Sequence, residues 1–136
     1  MPVKDLRTRR DNQQWMLDLA LNMRGRVQNF ERDDWETPKR AHNYRMLPKM
    51  WRQKGEHDER LAKQAQDQGF NSSATEHYDH AIEAYRMSQH PIFYDDNPVK
   101  IATYDKLCEM VDLRCEVAPY PIERMEVPFD DGKTIS

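Results

Sequence analysis

Glycine is scarce in this chain, with four in 136 residues, and no two of them lie close together. A phosphate-cradling loop or a dinucleotide-binding turn needs several glycines within one tight bend, so neither is encoded. A Gly-x-Ser-x-Gly nucleophile elbow is missing too. Cysteine is limited to Cys108 and Cys115, about two turns and roughly 10 Å apart on a helix, too far to bridge one another. No apolar run approaches the ~18 residues of a membrane span, and no short apolar run follows a basic start. The expectation is a cytoplasmic, reduced protein that does not engage a membrane. Broad positive charge is lacking as well, since the formal charge is −3. The short cluster of Lys4, Arg7, Arg9 and Arg10 reads as a frayed basic end, and no nucleic-acid partner is expected.

Large apolar bodies are present nonetheless. Charged residues make up 33% and the mean hydropathy is −1.06, yet three Trp, six Tyr, four Phe and eight Met supply what a disordered chain lacks. A chain of this size fits one domain that buries roughly two-thirds of its unfolded surface. The composition indicates a mainly α protein with a polar surface.

Residues 73–96, SATEHYDHAIEAYRMSQHPIFYDD, form the stretch around which the rest is arranged. Ser73 followed by Glu76 has the form of a capping box, which predicts a helix start at Ser73. Ala74, Tyr78, Ala81, Ile82 and Tyr85 then fall on one stripe, while Glu76, Asp79, Glu83 and Arg86 fall largely outside it. The helix should fail at Pro91, which disfavours the α conformation for His90. Beyond it come Ile92, Phe93, Tyr94, Asp95 and Asp96, a helix exit carrying aromatics and carboxylates. Its bland reading is a solvated loop that pins two aromatics to the core.

The remaining elements follow from local punctuation. Asp11 caps an expected first helix over about 12–24, with Trp15, Leu19 and Met23 on one side. Thr37-Pro38 opens a short second helix to about Leu47. A third begins near Pro48, carries Met50, Trp51, Leu61, Ala62 and Ala65, and ends by Gln68, with Gly69 at the position of a left-handed cap. Asn97-Pro98 is a cap and first-turn pair for a fifth helix, whose apolar set is Val99, Ala102, Leu107, Met110, Val111 and Cys115 and which ends before Pro119. Short links between such helices favour antiparallel neighbours, so residues 1–118 read as a bundle of about five helices. Residues 119–136 differ: a Pro-Tyr-Pro linker, an alternating strand over 122–129, an Asp-Asp-Gly-Lys turn and the start of a return strand from Thr134. A two-stranded hairpin alone is marginal in water, which suggests the front part of something longer and a route to self-association.

Candidate chemistry is sparse. His77 and His80 lie one turn apart, but the di-iron bundle pattern Glu-x-x-His is not met at His57, His77, His80 or His90. A zinc site from His77, His80 and one carboxylate stays open as an alternative; no metal or cofactor is assigned. Cys108 and Cys115 sit among Glu109, Asp112 and Glu116, unfavourable surroundings for a thiolate nucleophile. No catalytic residue can be named.

Two stretches carry a family resemblance. The run EHDERLAKQAQDQGFNSSATEHYDHAIEAYRMSQHPIFYDD, then a further helix, then APYPIERMEVPFDDGKTIS resembles the N-terminal part of α/β-hydrolases that carry a helical cap before the catalytic domain. That group includes 2,6-dihydroxypseudooxynicotine hydrolase and dipeptidyl-aminopeptidase-like proteins. Pro121, Glu123, Arg124, Glu126, Val127, Pro128 and Phe129 match its junction into the first sheet strand, and Asp131-Gly132 matches the turn to strand two. The resemblance covers about residues 51–136. It implies a cap over residues 1–118 that encloses and selects a small-molecule substrate shared with a downstream serine-hydrolase core. The nucleophile, acid and base of such enzymes lie beyond this junction. Pocket candidates are Tyr78 and Tyr85 as walls, with Gln89, His90, Tyr94, Asp95 and Asp96 at the helix exit. The alternative is a freestanding helical module that binds a partner helix or a small apolar ligand.

Overall fold

The computed structural model describes residues 44–130 and 132–135. Among them a 3-10 turn (Tyr44–Met46) leads into α1 (Leu47–Asp67), followed by α2 (Asn71–Gln89), α3 (Pro98–Val117) and an antiparallel pair, β1 (Val127–Phe129) with β2 (Lys133–Ile135). Mainly helical with a small C-terminal sheet is therefore right, but the described residues hold three α-helices rather than about five. The expected helix over 12–24 lies outside them. So does most of the one over 38–47, whose last residues run as the 3-10 turn straight into α1.

α2 lies between the other two helices, packing along α1 on one side and α3 on the other, while α1 and α3 barely meet. Its buried line is Ala74, Tyr78, Ala81, Ala84, Tyr85 and Ser88, close to the stripe read from the sequence. Small residues let the helices approach: Ala62 and Ala65 of α1 face the Ala74–Tyr78–Ala81 stretch, and Met110 and Val117 of α3 close the same cluster. A second cluster of Tyr44, Leu47, Trp51 and Ala84 fills the far end of the α1–α2 pair. There the buried Ser88 hydroxyl donates to the Pro48 carbonyl at 2.8 Å, which ties the end of α2 to the start of α1.

Gly69 makes the α1–α2 hairpin tight. With φ at +77° it occupies the left-handed position after the helix, the Phe70 N–H donates to the Ala65 carbonyl at 2.9 Å, and the Gly69 N–H donates to that of Gln66 at 2.9 Å. This is a Schellman ending, and it reverses the chain so quickly that α2 starts at Asn71. The expected cap at Ser73 is thereby corrected. Ser73 lies inside the first turn, the N-cap is Phe70, and no side chain caps the helix. α2 stops at Gln89 as Pro91 requires, although His90 itself stays right-handed helical (φ −52°, ψ −42°), because the Ile92 N–H bonds the Gln89 carbonyl across the turn at 2.9 Å.

α3 begins as read: the Asn97 side-chain oxygen accepts from the N–H groups of Val99 (2.9 Å) and Lys100 (3.2 Å), and Pro98 takes the first helical position. Its buried face differs from expectation. Thr103, Met110 and Val117 are buried, seven residues apart, whereas Val99 and Ala102 are exposed with Ile101 and Tyr104. A helix packed on one neighbour only buries a narrow line, and the rest of its apolar residues face outwards. The strand expected over 122–129 is paired only at Val127–Phe129, since β2 offers partners to those three residues alone. Gly132, at φ +77°, supplies the turn between the strands.

Candidate functional site

The α2 exit does form a recess. The chain turns at Pro91, the Asn97 N–H bonds the Tyr94 carbonyl at 3.3 Å, and the Lys100 ammonium holds the Asp95 carboxylate at 2.6 Å, so the connector is pinned to the start of α3. Between connector, α2 and α3 lies an open cleft of about 550 Å³, lined by Arg86, Gln89, His90, Ile92, Phe93, Lys100, Tyr104 and Leu107. Its lining combines apolar side chains, Ile92, Phe93, Tyr104 and Leu107, with two cations, Arg86 and Lys100, that are paired to Glu83 and Asp95. Of the expected pocket residues, Gln89 and His90 line it. Gln89 also donates to the Tyr85 carbonyl at 3.2 Å, which holds its amide close to the helix. Tyr94, Asp95 and Asp96 are exposed on the connector and do not line the cleft, with Tyr94 76% accessible. The Asp95 carboxyl is kept below its usual range by the hydrogen bond from Lys100.

Tyr78 and Tyr85 are buried core residues and do not line this cleft. The Tyr78 hydroxyl donates to Gln66 Oε1 at 2.5 Å, and that of Tyr85 to Glu59 Oε2 at 2.7 Å. Burial raises both phenol pKa values, and at Tyr85 the Glu59 carboxylate adds to the rise. The Tyr85 ring lies so close to Gly55 that a β-carbon there would stand 2.7 Å from a ring carbon. Tyr85 also borders a second hollow of about 380 Å³ between α1 and α3, beside Arg52, Glu56, Val99 and Lys106. Tyr104, which helps to line the larger cleft, was not among the expected residues. Its signal was available: Ile101, Tyr104 and Cys108 follow a helical spacing on a face other than the Thr103–Met110–Val117 line.

Two polar clusters flank the helix interface. In the first, the buried Glu59 accepts from Lys63 at 2.7 Å, Lys106 at 3.0 Å and the Tyr85 hydroxyl, and Glu109 closes the ring by bonding Lys63 (3.3 Å) and Lys106 (3.1 Å). Burial by itself would raise the Glu59 pKa; the hydrogen bonds from Lys63, Tyr85 and Lys106 outweigh it and hold the carboxyl at about 2. With every partner an opposite charge or a hydroxyl, the cluster joins the three helices, and it has no nucleophile.

The second cluster pairs α1 with α2. The buried Asp58 accepts from Lys54 at 2.7 Å through Oδ2, and turns Oδ1 towards two imidazoles, 3.7 Å from His77 Nδ1 and 4.0 Å from His80 Nδ1. The rings meet edge to face at 6.1 Å between centroids. Among the described residues, these three are the group whose ligand atoms could surround one metal ion. Cys108 and Cys115 are free and half-buried. No helix among the described residues is long and apolar enough to cross a membrane.

Comparison with protein families, with curated proteins and with solved structures finds no match to this chain.

Proposed function

We propose that this chain is the helical cap of a serine-type α/β-hydrolase, which encloses and selects the substrate of an ester-, amide- or carbon–carbon-cleaving core, and that the C-terminal hairpin belongs to the first strands of that core's sheet. The observation that carries the reading is the uncovered apolar surface of residues 120–129. Tyr120, Ile122, Met125, Val127 and Phe129 are each at least 41% exposed. A two-stranded pair with apolar side chains open to water is stable only when further strands or helices cover it. The Pro-x-Glu-Arg-x-Glu-Val-Pro-Phe junction lies in the same segment. The cleft at the α2 exit then faces substrate, with Phe93 and Tyr104 as apolar walls and His90, Arg86 and Lys100 as polar ones.

The test is made on the protein encoded by the complete reading frame together with any partner chain. A Gly-x-Ser-x-Gly elbow, an acid and a histidine should follow the hairpin. In that enzyme Phe93→Ala and Tyr104→Ala should alter the ratio of kcat/KM for long-chain over short-chain p-nitrophenyl esters by roughly 10-fold, the size expected for one or two lost apolar contacts. A protein with no such residues, whose hairpin amides are protected in a dilute monomer, would instead be the freestanding interaction module.

A further inference from the structure

We propose that Asp58, His77 and His80 form a binding site for one divalent transition-metal ion, with Zn²⁺ the best match to the donor set. The proposal does not rest on the hydrolase reading. It starts from three atoms that converge without bonding one another. Asp58 Oδ1 lies 3.7 Å from His77 Nδ1 and 4.0 Å from His80 Nδ1, both too long for a hydrogen bond. Two ligands that share a zinc ion at ordinary bond lengths stand roughly 3.3 Å apart. The ligand atoms of the three residues all fall within 4.8 Å of one another, so small side-chain rotations suffice to close them on an ion.

Independent support comes from His77. Its Nδ1 is buried and has no hydrogen-bond partner, a condition found at no other buried side-chain nitrogen or oxygen among the described residues. A buried ring nitrogen without a protein partner calls for an ion or a water to replace its lost hydration, and the convergence of two further ligand atoms on the same point favours the ion. The surroundings match those of a metal ligand set. Lys54 bonds the far oxygen of Asp58 at 2.7 Å, which orients the carboxylate as an outer partner does and leaves Oδ1 available. His77 and His80 stand at i and i+3 on α2, while Asp58 comes from α1, so an ion would clasp the two helices. Both imidazoles are about a third exposed (32% and 28%), so the pair lies near the solvent from which an ion and a fourth, water ligand would come. Two nitrogens, one carboxylate and an open position suit zinc better than magnesium or calcium, which favour all-oxygen shells.

The experiment titrates chelator-treated full-length chain with ZnCl2 in a calorimeter, and with CoCl2 as a spectroscopic probe. The proposal expects one ion per chain and visible d–d bands of a four- or five-coordinate Co²⁺ centre. His80→Ala and Asp58→Asn should each weaken binding by about 10-fold or more and remove the bands. His57→Ala and His90→Ala should leave both unchanged. Should Asp58→Asn unfold the helix pair, His80→Ala, a change at a partly exposed side chain, carries the test with circular dichroism as its check. No saturable binding, or binding that survives both His77→Ala and His80→Ala, overturns the proposal.

Discussion

Gly55 and Tyr85 compete for the same space, and that makes Gly55 a test of packing against propensity. Alanine at a helix interior normally gains up to about 1 kcal/mol over glycine. Here the added β-carbon would stand 2.7 Å from the Tyr85 ring, so Gly55→Ala should instead lose about 1–3 kcal/mol, measured as a lower urea midpoint. Glu59 gives a second prediction, with a sign set by its titration. Its carboxyl is held at about 2 in the folded chain against an ordinary value of 4.5, so the stabilisation it confers is complete above pH 4.5 and is lost as pH falls towards 2. Glu59→Gln should therefore cost about 2 kcal/mol at pH 7, allowing for solvent screening at the open edge of the cluster. The gap between variant and wild type should shrink steadily below pH 4.5. A gap that stays constant down to pH 2.5 would show that the Lys63–Glu59–Lys106 contacts add nothing.

At the scale of elements, the three helices differ in how they begin. α3 depends on a side chain, since Asn97 satisfies two N–H groups of its first turn. Asn97→Ala should cost about 1 kcal/mol and fray the first turn, detected as faster amide exchange at Val99 and Lys100. α2 depends on the backbone reversal at Gly69 and has no side-chain cap, so Ser73→Ala should be neutral or slightly stabilising through better helix propensity. The contrast between these two variants is decisive: an equal loss in both would return the α2 cap to Ser73. The capping-box pattern was legible yet misleading. A Ser-x-x-Glu spacing states what could cap a helix, whereas the tight Gly69 turn had already supplied a start with its N-cap at Phe70, three residues earlier.

For the molecule as a whole, stability and surface are unevenly placed. α1, α2 and the buried line of α3 share the cores, while the hairpin is joined to the helices through a solvent-exposed linker in which Arg124 pairs with Asp112 at 3.1 Å. Amides of β1 and β2 should exchange orders of magnitude faster than those of Tyr78, Ala81 and Tyr85 in a dilute sample, with protection of the hairpin rising only as the chain self-associates. On the cap reading, the chain purified as it stands should not hydrolyse p-nitrophenyl acetate above the buffer rate, because such a cap brings no activated nucleophile of its own. A rate that disappears on changing one serine of this chain would contradict that.

Much of the helical frame was legible from local chemistry. Gly69 marks a chain reversal because its φ is positive, Asn97-Pro98 marks a start because one side chain accepts and the other needs no donor, and Pro91 marks an end. The Tyr78–Ala81–Tyr85 stripe likewise follows from helical periodicity alone. The candidate site was legible only in part: Gln89 and His90 line the cleft, but Tyr78 and Tyr85 do not wall it. Periodicity reveals that a face is buried without saying what it meets. That Asp58 and Glu59 would be buried, one beside two imidazoles and the other among two lysines and a tyrosine, was decided by the angle and register at which α1, α2 and α3 pack. Those partners are up to 47 residues apart in sequence. Only tertiary packing brings such distant charges close enough to offset the cost of removing them from water.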